Sequence, residues 1–498
     1  MNSLWTETTK KKTYPKLVEN TSCEVCIIGG GITGLTLGYL LSKKGISFKI
    51  IERNEICSGV TANTTGKLTS QHGLFYNYLV TTFGKDTALK YLHTNEDAIL
   101  QVKKIIDAEE IDCDFEWQEA IVYTNDAKEL EKIKLEVKTL NELGFPAYLK
   151  ENLPLPFDTL GGIVFPKQAQ FHARKYCLGL AETLPESTIY EHSKVVDVEK
   201  SKDGYKTICE NSSEVSSKFV VIASHYPILN FPGFYFLKMY QDKSYIIAVD
   251  TKTDTFPGMY ITSSSPITSF RTAVINGKRL LLVGGSEHKT GDTSIDITSC
   301  YSNLESFVKS LYPEAEVLYR WSTEDCVTLD KLPYIGHFSA FLPNVFVATG
   351  FKKWGMTSSF VAANSIFHEI IDEPIEEAQI YKATRFAPIK NGDEMANMLK
   401  QSGYSLFINK IKPPIIPYEN LKPGEGGIVS YNGKKLAMYR KSETETVAFK
   451  PYCKHLGCEL SWNSLEKTWD CPCHGSRYDA EGKLLTEPSR ENLDRVEI

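Results

Sequence analysis

The stretch EVCIIGGGITGLTLGYLLSKKGISFKIIE, residues 24–52, decides the fold. Residues 24–28 read as a short apolar strand, 35–44 as a helix, and 48–51 as a second strand closed by Glu52. Between the first strand and the helix, Gly29, Gly31 and Gly34 stand at Gly-x-Gly-x-x-Gly spacing. Such glycines let the backbone approach a pyrophosphate, the helix N-terminus presents partial positive charge to it, and the carboxylate accepts hydrogen bonds from a ribose. With strand, helix and acid in register, the pattern predicts a dinucleotide site rather than a structural glycine turn. FAD and NAD share the fingerprint, so the choice between them rests on other residues.

The chain around this unit has 498 residues, enough for about three folding units. Hydrophobic residues are 42% and charged residues 24%, which excludes a disordered or collagen-like chain. With 56 basic and 62 acidic side chains the net charge is -6, so bulk attraction to nucleic acid is disfavoured. MNSLWTETTKKKTYPK has no apolar signal-peptide core and no apolar run is long enough to span a bilayer, so a cytoplasmic protein is expected, its oligomeric state open. Lys10, Lys11 and Lys12 suggest a solvated arm.

Further along, 98–143 reads as mostly helical, up to the turn region at Pro154 and Pro156. Strands are expected at 219–223, 245–249, 280–283 and 345–348, and a helix at 358–371. Pro413, Pro414 and Pro417 mark a linker, with one tethering helix at 394–401. Short strands and glycine turns follow, as at PGEGG (423–427), Asn432-Gly433 and Glu481-Gly482, and predict a small all-β module. The expected fold class is α/β (α+β): a Rossmann-type dinucleotide-binding unit, a mostly antiparallel second sheet and that module.

Five further stretches carry a resemblance. They are ERNEICSGVTANTTGKLTSQHG (52–73), VVIASHYP (220–227), SFRTAVINGKRLLLVGGSEHKTG (269–291), DKLPYIG (330–336) and VFVATGFKKWGMTSSF (345–360). Over about residues 20–375 the chain resembles the D-amino-acid-oxidase-like family of FAD enzymes. The resemblance implies an FAD-dependent oxidoreductase domain at 1–385, with FAD-binding elements at 21–80, 219–228 and 330–375 and a substrate part at 81–218 and 229–329. It implies FAD contacts at Gly29, Gly31, Gly34, Glu52, Arg53 and Lys67. It also directs Gly350, Gly355, Met356 and Thr357, at the start of the last helix, toward the flavin's N1 and C2 carbonyl, where backbone N–H groups would stabilise the reduced anion. Asn63 stands where some relatives carry a linking histidine, and no linking cysteine is obvious near Trp321, so FAD is expected to be noncovalent.

Cys453-Lys454-His455-Leu456-Gly457-Cys458 and Cys471-Pro472-Cys473-His474-Gly475-Ser476 form the second decisive pattern. They resemble the Rieske iron–sulfur family over about 418–498, giving a linker at 386–415 and a Rieske domain at 416–498. A Rieske [2Fe–2S] centre takes two thiolates on one iron and two imidazoles on the other. By motif position the ligands are Cys453, His455, Cys471 and His474. The resemblance implies a disulfide between Cys458 and Cys473, and cluster-tuning hydrogen bonds from Ser476 and Tyr478. Glu487-Pro488 stands where the family usually has Gly-Pro in a covering loop. A zinc site, the rival for Cys and His in two clusters, explains this spacing poorly.

A flavin exchanges electrons in pairs and such a cluster singly, so their fusion suggests a flavin dehydrogenase with its own electron outlet to an unknown acceptor. The resemblance implies an amine or amino acid oxidised at its C–N bond. Candidate catalytic residues are Arg271, as a carboxylate clamp or a paired structural arginine, and His72 and His288, near the flavin or merely structural. His225 carries the same two readings, Lys352 and Lys353 read as holders of negative charge near reduced flavin or, more simply, as solvated surface, and Trp354 as a flavin cap or a core residue. An NAD(P)H-linked reductase usually shows a second glycine turn, and none follows Gly34. A Rieske oxygenase needs a histidine pair for mononuclear iron, and none lies outside the two loops. A non-enzymatic redox sensor is the remaining alternative.

Overall fold

Strand Thr21–Ile28 runs parallel between Phe48–Ile51 and Glu214–Ile222, so the glycine turn opens at the carboxyl edge of a parallel sheet. The computed structural model describes residues 3–292, 294–385 and 416–498. Its first sheet has eight strands, and its main path runs Tyr334–Ser339, Leu342–Thr349, Glu214–Ile222, Thr21–Ile28, Phe48–Ile51, Ile189–Tyr190. The helices Ile32–Lys44 and Gly355–Ile370 pack on it and on each other, burying Leu35, Leu37, Phe360 and Ile366. Fully buried parallel strands need such continuous apolar runs as VCII and FVVI.

The second sheet has nine strands, with the long Met239–Asp250 between Glu316–Thr328 and Lys278–Lys289. Its pairings are antiparallel except Met259–Thr262 beside Glu116–Thr124. The C-terminal module is two small sheets of five and four strands. Among the described residues no helix is long and apolar enough to cross a membrane.

Two expectations are corrected here. The stretch 98–143 is interrupted: helix Lys85–Ala108 and helix Ala127–Glu142 flank strand Glu116–Thr124, whose AIVYT half is buried. A β-branched and aromatic run fits a sheet better than a helix, and Asp126 restarts the helix by accepting the N–H groups of Lys128 and Glu129.

The N-terminal arm is anchored rather than free, although Lys10 and Lys12 are solvated as expected. Ser3 caps a one-turn helix, Leu4–Glu7, whose Leu4 and Trp5 are fully buried with Ile246, Ala248, Leu282 and Trp321. Trp5 Nε1 donates to the Thr64 carbonyl at 2.6 Å. Lys10 and Lys12 are exposed, but the Lys11 side chain is only 10% exposed and pairs with Glu191 at 2.9 Å. Glu191 also accepts the N–H groups of Tyr14 and Ile56. Two adjacent apolar residues in a polar stretch suffice to anchor it, because each buried large side chain contributes roughly 1.5–3 kcal/mol. The expected linker at 386–415 and its helix at 394–401 lie outside the described residues.

Candidate functional site

The glycine turn opens into a cavity of about 300 Å³ whose wall runs in sequence from Ile28 to Glu487. Gly29 sits at φ +114°, and a Cβ there would fall 2.5 Å from the Ala223 carbonyl oxygen. Gly34, inside the helix, lets it lie on the turn: a Cβ would come within 2.0 Å of the Gly29 oxygen. Gly31 and Trp354 begin the helices Ile32–Lys44 and Gly355–Ile370 without a side-chain cap; the Ile32 N–H donates to Thr61 Oγ1, and the next first-turn N–H groups are available to an anion. Glu52 accepts the N–H groups of Gly30 and Asn54, each at 2.8 Å. Burial raises its pKa, and those two bonds oppose the rise. Gly350, Gly355 and Met356 line the same cavity, as does Arg53, which bonds Glu487 of the C-terminal module. Uncapped helix starts, glycines that let strand, turn and helix approach closely, and a carboxylate at the second strand fit the dinucleotide FAD.

Several candidates are brought elsewhere. Arg271 is buried, donating to the carbonyls of Gly66, Phe171 and Thr272 and lying over the Trp5 ring at 5.3 Å. Lys67 donates to the Tyr260 carbonyl at 2.8 Å, and burial, then Arg271, lower its pKa to about 7. His72 is held by Tyr91, the Thr69 carbonyl and a ring stack on Trp354 at 4.7 Å, and burial lowers its pKa to about 3. Thr357 donates to the Thr69 carbonyl at 3.0 Å. His288 sits between the Tyr245 hydroxyl and the Lys289 carbonyl. None of these lines the large cavity.

The solvated reading of the lysine pair is corrected. Lys353 is 25% exposed and pairs with Asp242 at 2.7 Å and with Glu287. Lys352 lies over the Phe75 ring at 4.4 Å, and its N–H bonds the Cys326 carbonyl. Both residues take positive φ in the loop before the last helix, a left-handed bend that strains non-glycine residues.

Sequence reasoning missed the opposite wall. Gln241 and residues 322–326 come from strands of the second sheet, joined by Arg477, Thr486 and Glu487; His225, which reads from sequence as near the flavin or structural, lines the cavity with them. The Cys326 sulfur lies 3.5 Å from His225 Nε2. Asp325 is buried, and desolvation pushes its pKa up to about 7 although Lys353 opposes the shift. Strand register places Gln241 and residues 322–326, and docking of the C-terminal module places Arg477, Thr486 and Glu487, so no local motif announces them.

In the C-terminal module Cys453 and Cys471 are buried beside one another, and the rings of His455 and His474 are 4.9 Å apart. Both nitrogens of His455 and Nδ1 of His474 are buried with no hydrogen-bond partner among the described residues. Burial lowers the imidazole pKa values to about 4 and about 3, so both rings are neutral and able to bind metal. The Tyr478 hydroxyl is 3.4 Å from the Cys453 sulfur, and Ser476 accepts the Ser489 N–H at 2.9 Å. Cys458 and Cys473 form a disulfide. Those two sulfurs therefore cannot be the thiolates of a zinc site, although they lie within 4.8 Å of Cys471. Two thiols and two orphaned imidazoles fit a Rieske cluster.

The module docks through buried charge. Lys243 of the second sheet pairs with Glu324 at 3.3 Å and with Glu466, and Arg477 pairs with Glu324, Glu466 and, at 2.9 Å, Asp470. Burial pushes the Glu466 carboxyl up, but Arg477 and Lys243 outweigh it and hold it well below the usual range. The Phe236 ring meets His455 and His474 edge-on at 5.2 and 5.8 Å.

Comparison with known proteins agrees with this geometry. Residues 24–367 match the family described as "FAD dependent oxidoreductase" (DAO), and residues 412–497 match the "Rieske [2Fe-2S] domain". The "Putative Rieske 2Fe-2S iron-sulfur protein YhfW" of Bacillus subtilis is 35% identical over 99% of this chain and 97% of its own length. Glycine oxidase from Geobacillus kaustophilus superposes with a TM-score of 0.62 at 19% identity, covering 74% of this chain and all of that one. L-proline dehydrogenase from P. horikoshii gives 0.61 at 17%, covering 74% of this chain and 98% of its own. At these identities the two structures establish the fold.

Proposed function

Because the chain belongs to the DAO family of FAD-dependent oxidoreductases and carries a Rieske [2Fe–2S] domain, we propose that it oxidises a small amine or amino acid at a C–N bond and passes the electrons singly through its own cluster to an external acceptor. Bound FAD supplies two-electron chemistry at carbon and nitrogen, and the cluster supplies one-electron transfer. The division of labour places oxidation in 1–385 and the electron outlet in 416–498. One observation carries the reading: Arg477, Thr486 and Glu487 of the C-terminal module complete the wall of the cavity opened by the glycine turn.

In this reading the N–H groups after Gly31 and Gly355 bind the pyrophosphate and the flavin's carbonyl edge, and Glu52 holds the ribose. Cys453, Cys471, His455 and His474 hold the cluster, with Tyr478 and Ser476 tuning it; donors to sulfur favour the reduced form and raise the potential. Buried Asp325 is able to hold a proton near neutral pH at the cavity wall. The names of the two similar proteins, glycine oxidase and L-proline dehydrogenase, support the substrate class.

Anaerobic stopped-flow mixing with a panel of amines and amino acids tests the proposal. Flavin bleaching followed by cluster reduction is expected. Flavin re-oxidised only by O₂, with the cluster never reduced, would overturn it, and bleaching by NADH or NADPH instead of amines would favour the reductase alternative.

A further inference from the structure

Gln241 stands on strand Met239–Asp250, lines the large cavity and is 1% exposed. Its side chain faces two ways. Nε2 donates to the carbonyl oxygen of His474 at 3.2 Å and to that of Glu487 at 2.8 Å. Two carbonyl acceptors demand an NH₂ group, so the chemistry of the neighbours fixes the amide's orientation. Oε1 then remains, buried and with no partner among the described residues. A buried carbonyl left unpaired costs free energy unless a ligand supplies a donor. The backbone of Gly475 closes on this side chain so tightly that a Cβ there would fall 2.6 Å from the Gln241 Cβ. Phe236, in the turn just before this strand, meets both imidazoles edge-on.

We propose that Gln241 is the positioning residue that couples the two redox centres: its amide N–H groups fix the cluster loop at His474, and its Oε1 accepts an N–H from whatever occupies the cavity. This rests on the reading given under Proposed function and deepens it. Each pass moves one electron from reduced flavin to the iron pair, so oxidising one substrate takes two passes, with a one-electron acceptor emptying the cluster between them. The N–H donor belongs either to the flavin ring or to the substrate amine, and both offer the same chemistry to Oε1.

Flash photolysis of the oxidised holoprotein with photogenerated deazariboflavin radical tests the coupling without a known substrate. In the unaltered protein the injected electron should equilibrate between flavin and cluster at a rate independent of protein concentration. Gln241→Met keeps the length and packing but removes the amide. It should slow that phase about tenfold, with the cluster's midpoint potential and electron paramagnetic resonance signature unchanged. Gln241→Asn, one methylene too short to reach both carbonyls, serves as a second variant and should slow it as well. An unchanged rate in both variants overturns the proposal. Absence of the phase in the unaltered protein overturns instead the underlying function. A shift of the amine-free flavin absorption band in Gln241→Met assigns the Oε1 donor to the flavin. An unmoved band with a roughly tenfold weaker spectral response to glycine, used as the amine probe, assigns it to the substrate. If neither moves, Oε1 has no such partner and that half of the proposal falls.

Discussion

The cluster module and the flavin cavity meet at one wall, yet they are built on opposite principles. The module gathers its four proposed ligands between residues 453 and 474, on two loops joined by the Cys458–Cys473 disulfide. The cavity wall draws on residues from Ile28 to Glu487 and combines glycine turns and helix starts with polar and charged side chains from the second sheet and the C-terminal module. A metal cluster needs specific donor atoms at short range, whereas a dinucleotide is held by shape and by N–H groups that any backbone offers. Single side-chain changes should therefore abolish one centre outright and act on the other through packing and charge.

The largest effect expected from that contrast is all-or-none. Cys453→Ser should eliminate iron, acid-labile sulfide and the cluster's paramagnetic signal, while one FAD per chain is retained. Loss of both cofactors together would break the contrast and make the two regions one folding unit.

Next in size is the junction. Lys243→Met leaves Glu324 and Glu466 facing each other with only Arg477 between them. Removing one partner from a buried ionic network costs about 3–5 kcal/mol. A lower urea midpoint and earlier proteolysis of the C-terminal module are expected. A shift no larger than that of a surface lysine would mean the docking relies on apolar contact instead.

The smallest effect sharpens the comparison within the cavity wall. Asp325 has its folded pKa raised to about 7, first by burial and then by Asp242 and Glu324, against Lys353. Between about pH 4 and 7 the folded chain keeps a proton that the unfolded chain has lost, so this group's contribution to stability falls as pH rises through that window. Denaturant titrations should show that decline in the unaltered protein and a flatter profile in Asp325→Asn. Identical profiles would mean that the carboxyl ionises as if exposed.

Legibility follows the same division. The glycine turn, the second strand and the two Cys–His loops are local patterns that predicted the parallel strand pair, a dinucleotide site and the cluster; FAD followed from the family resemblance, and the small β module from its short strands and glycine turns. Strand Glu116–Thr124 was hidden between two long amphipathic helices, and the N-terminal arm by lysines flanking a buried Leu4-Trp5 pair. Arg271 and His288 show the converse: chemically suggestive types on the second sheet whose polar atoms are spent on backbone carbonyls and a tyrosine.

By itself the sequence determined that the chain holds a dinucleotide and an iron cluster, because pyrophosphate-binding turns and iron ligands are short patterns of residue type and spacing, and the family resemblance chose FAD. Only the tertiary structure decided what faces them. Gln241, Glu324 and Asp325 reach the cavity because two antiparallel strands align them there, and Arg477 and Glu487 because a separate module docks over the opening. Contacts between residues hundreds of positions apart depend on register and packing, which no local run of letters records.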